Sequence, residues 1–182
     1  MDKIPKKDLD NLEKFLDNSR LSEIQIVYLH GGEKIGLKDL KDVLPKILSI
    51  TTKQIFLDSF KLTEDELSLI FENSTKTEKL EIVNCRIREI GDKFKVKSSS
   101  SYKMKELNLS WTCIQDDESF LDEDKLPAFI KGLAKTKLTD SLKYIKIDVN
   151  DYDQENFEDV LEENGFEDVK IKEGGKNPQA MD

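Results

Sequence analysis

The chain has 182 residues, enough for one domain with a sizeable core, and its 38 acidic against 29 basic side chains give a net charge of −9. That balance, with a pI near 4.9, argues against nucleic acid as a partner, because its phosphates would be repelled by most of the surface. Two cysteines without a CxxC pair exclude a disulfide-dense scaffold and a cysteine-rich zinc site, one histidine excludes sites needing two imidazoles, and no apolar run reaches membrane-spanning length.

The opening "MDKIPKKDLDNLEKFLDN" mixes acids with lysines and has no apolar h-region. Neither a secretory signal nor a mitochondrial presequence is expected, and the default location is cytoplasmic. Leu9, Leu12, Phe15 and Leu16 fall at helical spacing, which predicts an amphipathic helix over residues 1–20. A strand follows, with Ile24, Ile26 and Leu29 as its apolar positions. His30, in "LHGGEKIG", reads as a surface histidine in a turn. "LKDLKDVLPKIL" predicts a helix through Leu37, Leu40, Leu44 and Ile47 that Pro45 ends or kinks.

Next come a strand around Ile55 and Leu57, and a helix in "LTEDELSLIFENS" announced by Thr63 and Glu66 as a capping box. A strand through Leu80 and Ile82 leads into "GDKFKVKSSSSYKMK", whose polarity and serines predict a loop over 91–103 rather than a helix. A strand through Leu107 and Leu109 precedes an acidic insertion, "QDDESFLDEDK". The helix "DEDKLPAFIKGLAKT" then has Pro127 in its first turn. The last elements are a strand through Ile145 and Ile147, a helix in "DQENFEDVLEENG" stopped by Gly165, an edge strand around Val169 and Ile171, and a disordered tail over 173–182.

The strands share one frame. Leu80, Ile82, Cys85 and Ile87 in "LEIVNCRI" recur as Leu107, Leu109, Thr112 and Ile114, as Ile145, Ile147, Asn150 and Tyr152, and as Ile55, Leu57, Phe60 and Leu62. Counted from the first apolar position, the copies begin at Ile24, Ile55, Leu80, Leu107, Ile145 and Val169, at intervals of 24 to 38 residues. This pattern resembles the leucine-rich repeat, L-x-x-L-x-L-x-x-N/C-x-L, in its longer ribonuclease-inhibitor-like form. The resemblance implies an α/β solenoid of five to six irregular repeats over 21–172, with short parallel strands on a concave face and helices and loops on the convex face. Residues 1–20 would then be a capping helix. It also implies that Phe60, Cys85, Thr112 and Asn150 stack as an inward corner ladder, with Cys85 a structural thiol and a Cys85–Cys113 disulfide not expected.

In that frame the residues between the apolar pairs point outward. They include Glu23, Gln25 and Val27 in the first repeat, Gln54 and Asp58 in the second, Lys79, Glu81 and Asn84 in the third, and Glu106, Asn108 and Ser110 in the fourth. Among them Tyr28, Phe56, Val83, Trp111, Tyr144 and Lys146 form the candidate partner-binding set, because a solvated sheet needs no such aromatics. The loops at 91–103 and 115–125 are alternative carriers of binding. "DVNDYDQENFED" superficially resembles a calcium loop but lacks the central glycine, so no metal or other cofactor is expected.

No residue set supports catalysis. Proteins of this repeat class bind other proteins, so the resemblance implies a non-catalytic adaptor or scaffold subunit of a hetero-complex, without membrane insertion. The location is cytoplasmic, with a mitochondrial or cytoskeletal assembly as alternative. Other functional classes are a small-GTPase regulator, for which only Arg20, Arg86 and Arg88 are available, and a ubiquitin-ligase-associated substrate receptor.

Overall fold

A computed structural model describes residues 5–18, 21–32, 36–87, 90, 94–97, 101–110, 112–114, 125–147 and 154–173. Every sheet strand in it runs parallel to its neighbours. Six strands form one sheet, namely β1 (Ile24–His30), β2 (Thr51–Asp58), β4 (Lys79–Val83), β6 (Glu106–Asn108), β8 (Tyr144–Ile147) and β9 (Lys170–Glu173), and they lie side by side in chain order. Three two-residue strands, β3 (Lys61–Leu62), β5 (Arg86–Ile87) and β7 (Cys113–Ile114), form a second parallel sheet, again in chain order. The chain is thus α/β with parallel sheets, as parallel pairing with its long crossovers demands.

Helix α1 (Lys6–Asn18) precedes β1, and α2 (Leu44–Ile50), α3 (Glu64–Asn73), α4 (Lys125–Ala134) and α5 (Gln154–Glu163) lie on the crossovers between strands. Local sequence explains their ends. The Thr63 hydroxyl accepts from the Glu66 amide while the Glu66 carboxylate accepts from the Thr63 amide at 2.9 Å, closing the expected capping box of α3. Gly165 takes φ +81 after α5, and the Phe166 amide reaches back to the Leu161 carbonyl at 2.9 Å, the bond that ends a helix through a left-handed glycine. Pro45 differs from expectation. It opens α2, in the first turn where its missing N–H costs nothing, and a 3₁₀ turn at Leu37–Leu40 takes up the preceding apolar residues.

The core lies between the helices and one face of the large sheet. Alternation on the strands sends Ile55 and Leu57, Leu80 and Ile82, Leu107 and Leu109, and Ile145 and Ile147 into it, where they meet Leu48, Leu67, Ile70, Phe71, Phe129, Leu133 and Phe157. The first repeat departs from the expected frame by three residues: Val27 and Leu29 pair with Ile55 and Leu57, so Val27 points inward and Ile26 outward. The corner explains the shift. The Gly31 amide donates to the Asp58 carbonyl just as the Ser59 amide donates to that of Val83, and a Cβ on Gly31 would lie 2.7 Å from the Phe60 ring. The last strand also slides, with Ile171 rather than Val169 opposite Ile145.

In the stretch 91–103 the described residues, 94–97 and 101–103, form no helix, as expected, but part of them is core. Phe94, Val96 and Tyr102 are buried in the core. Phe94 stacks on Phe129 with ring centroids 5.6 Å apart, and Tyr102 donates to the Phe71 carbonyl at 3.0 Å. Segment 94–97 is further pinned to α3, where the Lys97 amide donates to Glu72 and Ser68 donates to the Lys95 carbonyl. "FKVK" therefore fills, as an extended piece with alternating burial, the layer that helices occupy elsewhere. On α1, Leu9, Leu12 and Leu16 pack against the core while Phe15 is exposed, and Glu13 and Asp17 pair with Lys46 of α2. No helix among the described residues is long and apolar enough to cross a membrane.

Candidate functional site: the helix-free face of the large sheet

β2 and β4 end in the same corner. Ser59 and Asn84 adopt φ 63 and 53, a left-handed step that turns the chain from the outer face into the interior. The next residue enters the core. Cys85 is 1% exposed, its thiol lies within reach of the carbonyls of Leu57 and Val83, and its sulfur accepts the Phe60 amide at 3.4 Å. Thr112, also 1% exposed, donates to the Ile82 carbonyl at 2.7 Å and lies 3.5 Å from that of Ser110. Leu57 and Ile82 are register partners, so the two residues bridge back to the preceding strand in the same way. Phe60, with no polar group, fills the same place by bulk. Asn150 lies outside the described residues. Burial pushes the Cys85 thiol up to about 12, which disfavours the thiolate, and the thiol is not in a disulfide.

The face opposite the core carries no helix among the described residues, and its exposure is graded across the sheet. On the edge strand β1, Ile26 and Tyr28 are each 60% exposed. Tyr28 stacks on Phe56 of β2, with centroids 4.9 Å apart and planes 16° from parallel. In the middle, Val83 is only 5% exposed, and Glu81, Asn108 and Ser110 are buried. A strand flanked on both sides is shielded by its neighbours' side chains, whereas β1 has one neighbour. Val83 is therefore withdrawn from the candidate set. Tyr144 and Lys146 of β8 are half-buried, and Trp111 lies outside the described residues.

Two hydrogen-bonded networks organise this face. At the C-terminal end of β1 and β2, the Asp58 carboxylate accepts from the Tyr28 hydroxyl at 3.2 Å, the Asn84 amide at 3.0 Å and the Ser59 hydroxyl at 3.0 Å, and lies 2.8 Å from His30 Nδ1. Partial burial raises the Asp58 pKa, but the bonds from Asn84, His30, Ser59 and Tyr28 outweigh it and hold the carboxyl below its ordinary value. His30 thus closes β1 rather than sitting in a free turn. In the middle, Glu81 accepts from Gln54 at 2.7 Å, from Asn108 at 2.9 Å and from Lys79 at 2.5 Å. Lys79 continues to Glu106 at 3.2 Å, Glu106 to Lys172 at 3.1 Å, and the Lys172 ammonium sits 3.8 Å above the Tyr144 ring. Partial burial raises the Glu106 pKa, but Lys172 and Lys79 outweigh it and hold the carboxyl below its ordinary value.

The face therefore presents a stacked aromatic pair at one side, a charge-matched polar middle, and a second aromatic under a lysine at the other. No group of histidine, cysteine or acidic side chains able to hold a metal ion occurs among the described residues; the 148–153 acidic stretch lies outside them. Of the three arginines, Arg86 is exposed on β5, away from this face, and Arg20 and Arg88 lie outside the described residues. Sequence reasoning missed Ile26, which the first-repeat frame had turned inward; the Gly31–Gly32 pair, marking a corner, was the signal that sets the frame correctly. It also missed Lys172, whose role depends on β9 lying beside β8. No family model matches this chain, and no curated protein matches it.

Proposed function

We propose that this chain is a short leucine-rich-repeat-type solenoid that works without catalysis, as an adaptor or structural subunit of an intracellular hetero-complex, and that it binds a protein partner through the helix-free face. The two parallel sheets that advance in chain order and the matching corners at Cys85 and Thr112 support the architectural part. The observation that carries the functional part is the Tyr28–Phe56 stack with exposed Ile26, held on a rigid parallel sheet. Exposed aromatics on a preorganised surface are the groups that supply interface hot spots. At the far side Tyr144 and Lys146, with Lys172, give a second contact zone of mixed aromatic and basic character.

The test is affinity capture with the intact chain, followed by a dissociation constant for the recovered partner against Phe56→Ala and Tyr144→Ala. Each truncation is expected to weaken binding by about tenfold or more, the cost of a hot-spot residue of ~1.4–2 kcal/mol. An exposed helix-side control, Lys38→Ala, leaves affinity unchanged. Equal affinity for all four proteins would remove this face from the interface.

A further inference from the structure

We infer that β1 pairs antiparallel with β1 of a second copy of this chain about a two-fold axis through Val27. The starting observation is an unequal treatment of the two sheet edges. β9, at one edge, carries Lys170 and Lys172, charged side chains of the kind that discourage strand addition. β1, at the other edge, reads IQIVYLH, and the chain holds no aspartate, glutamate, lysine, arginine or proline from Ile24 to Gly32, with His30 its one titratable basic side chain. Its outward side chains Ile26 and Tyr28 are among the most exposed large apolar groups of the described residues. Among those residues β2 is the one strand beside it, while α2 packs beneath it and α1 is tied to α2 through Lys46.

Backbone geometry selects the register. The Gly31 amide donates to the Asp58 carbonyl at 2.7 Å, so odd-numbered residues aim their amides at β2. Alternation then turns the backbone groups of Ile26, Tyr28 and His30 to the free edge. With the axis at Val27, Ile26 of one copy faces Tyr28 of the other, and both are residues whose N–H and C=O point outward along the sheet plane. They satisfy the exchange of both bonds that an antiparallel hydrogen-bonded pair requires. The same register sets the Ile26 and Tyr28 side chains against each other on the helix-free face, twice by symmetry. The irregularity in β1–β2 pairing between Ile24 and Ile26 confines the match to the segment from Ile26 onward and its symmetry mate. A second copy rather than a foreign strand is favoured because this register is self-complementary. The strand carries no acidic residue from Ile24 to Gly32, so two chains of net charge −9 meet along it without directly opposed acids.

This inference shares Ile26 and Tyr28 with the partner-binding reading, and Tyr144→Ala separates the two: it weakens partner binding and leaves the β1 pairing unchanged. Sedimentation equilibrium of the full chain at tens of micromolar is expected to give twice the 21.0 kDa chain mass, with tighter association at higher salt as charge repulsion is screened. Ile26→Lys raises the dimer dissociation constant about tenfold or more, while leaving the far-ultraviolet spectrum and melting temperature of the monomer intact. In a Cys113→Ser background, Val27→Cys oxidises to a covalent dimer, because the two axis residues form a non-hydrogen-bonded pair with Cα atoms about 4.5 Å apart. Gln25→Cys, whose mate lies several residues away, stays uncross-linked. A monomeric wild type, a dimer indifferent to Ile26→Lys, or cross-linking of Gln25→Cys in preference to Val27→Cys would each overturn the proposal.

Discussion

Replacing Thr112 by valine removes one hydroxyl from the interior and keeps its shape. The hydroxyl donates to the Ile82 carbonyl at 2.7 Å in a site 1% exposed to solvent. Valine leaves that bond unmade with no water to replace it, a loss of about 1–3 kcal/mol. The added methyl recovers little, because Val and Thr are not interchangeable where the oxygen is used. For a chain of this size, 1 kcal/mol lowers the melting temperature by about 2–4 °C, so a drop of about 2–12 °C is expected. Urea unfolding followed by circular dichroism, with the m-value unchanged, isolates the stability effect. Thr112→Ser keeps the donor and is expected to lose about 1 kcal/mol or less, through its methyl alone. Since Cys85 bridges to Leu57 as Thr112 bridges to Ile82, Cys85→Thr is expected to fold with stability near wild type. If Thr112→Val melts with the wild type, the corner residues are fillers rather than bridges, and the repeated-corner account fails.

Further expectations concern the other features that fix the fold. Ser59 sits at φ 63, so Ser59→Val is expected to cost about 1–2 kcal/mol whereas Ser59→Gly is close to neutral, as read by chemical denaturation. Asp58 has a folded pKa below its unfolded one, so its contribution to stability is full above the unfolded value and is lost as pH falls through the folded value. Asp58→Asn should therefore flatten the acid limb of the stability–pH curve, and a limb of unchanged slope would contradict the network. Phe94→Ala is expected to destabilise by about 3–5 kcal/mol, a result no solvated loop would give. Gly132→Ala, normally favourable within a helix, should instead cost about 1–3 kcal/mol, because its Cβ would fall on the Phe94 ring.

Period-two apolar spacing made the strands through Ile55, Leu80, Leu107 and Ile145 legible, and the capping box at Thr63 made α3 so. Both signals are local, and both hold in the structure. The first strand misled because "EIQIVYLH" alternates equally well in two frames, and only the corner decides between them. Gly31, which has no room for a side chain beside Phe60, is the residue that decides. The stretch 91–103 is free of helix in its described residues, as expected, but its packing was hidden: its serines and lysines outweigh three aromatic or apolar residues in any window average, yet those three reach the core. On the candidate face, the outward direction of Tyr28, Phe56, Tyr144 and Lys146 follows from alternation. The burial of Val83 does not, because shielding depends on how many strands lie on either side.

That gradient of shielding bears on how the face can bind. Glu81 and Asn108 have their hydrogen bonds filled by Gln54, Lys79 and each other, so a partner covering them gains little and displaces little. Energy must come from where apolar surface is still open, at Ile26, Tyr28 and Phe56 on one side and around Tyr144 on the other. The satisfied middle contributes rigidity instead: Lys79 and Lys172 clamp β4, β6 and β9 through Glu106 and hold the two aromatic zones at a fixed separation. Under the proposed partner-binding reading, a partner with two apolar anchors at that spacing is expected to bind more tightly than one with a single anchor. Breaking the clamp by Glu106→Gln should then weaken binding while every residue of the contact zones is kept.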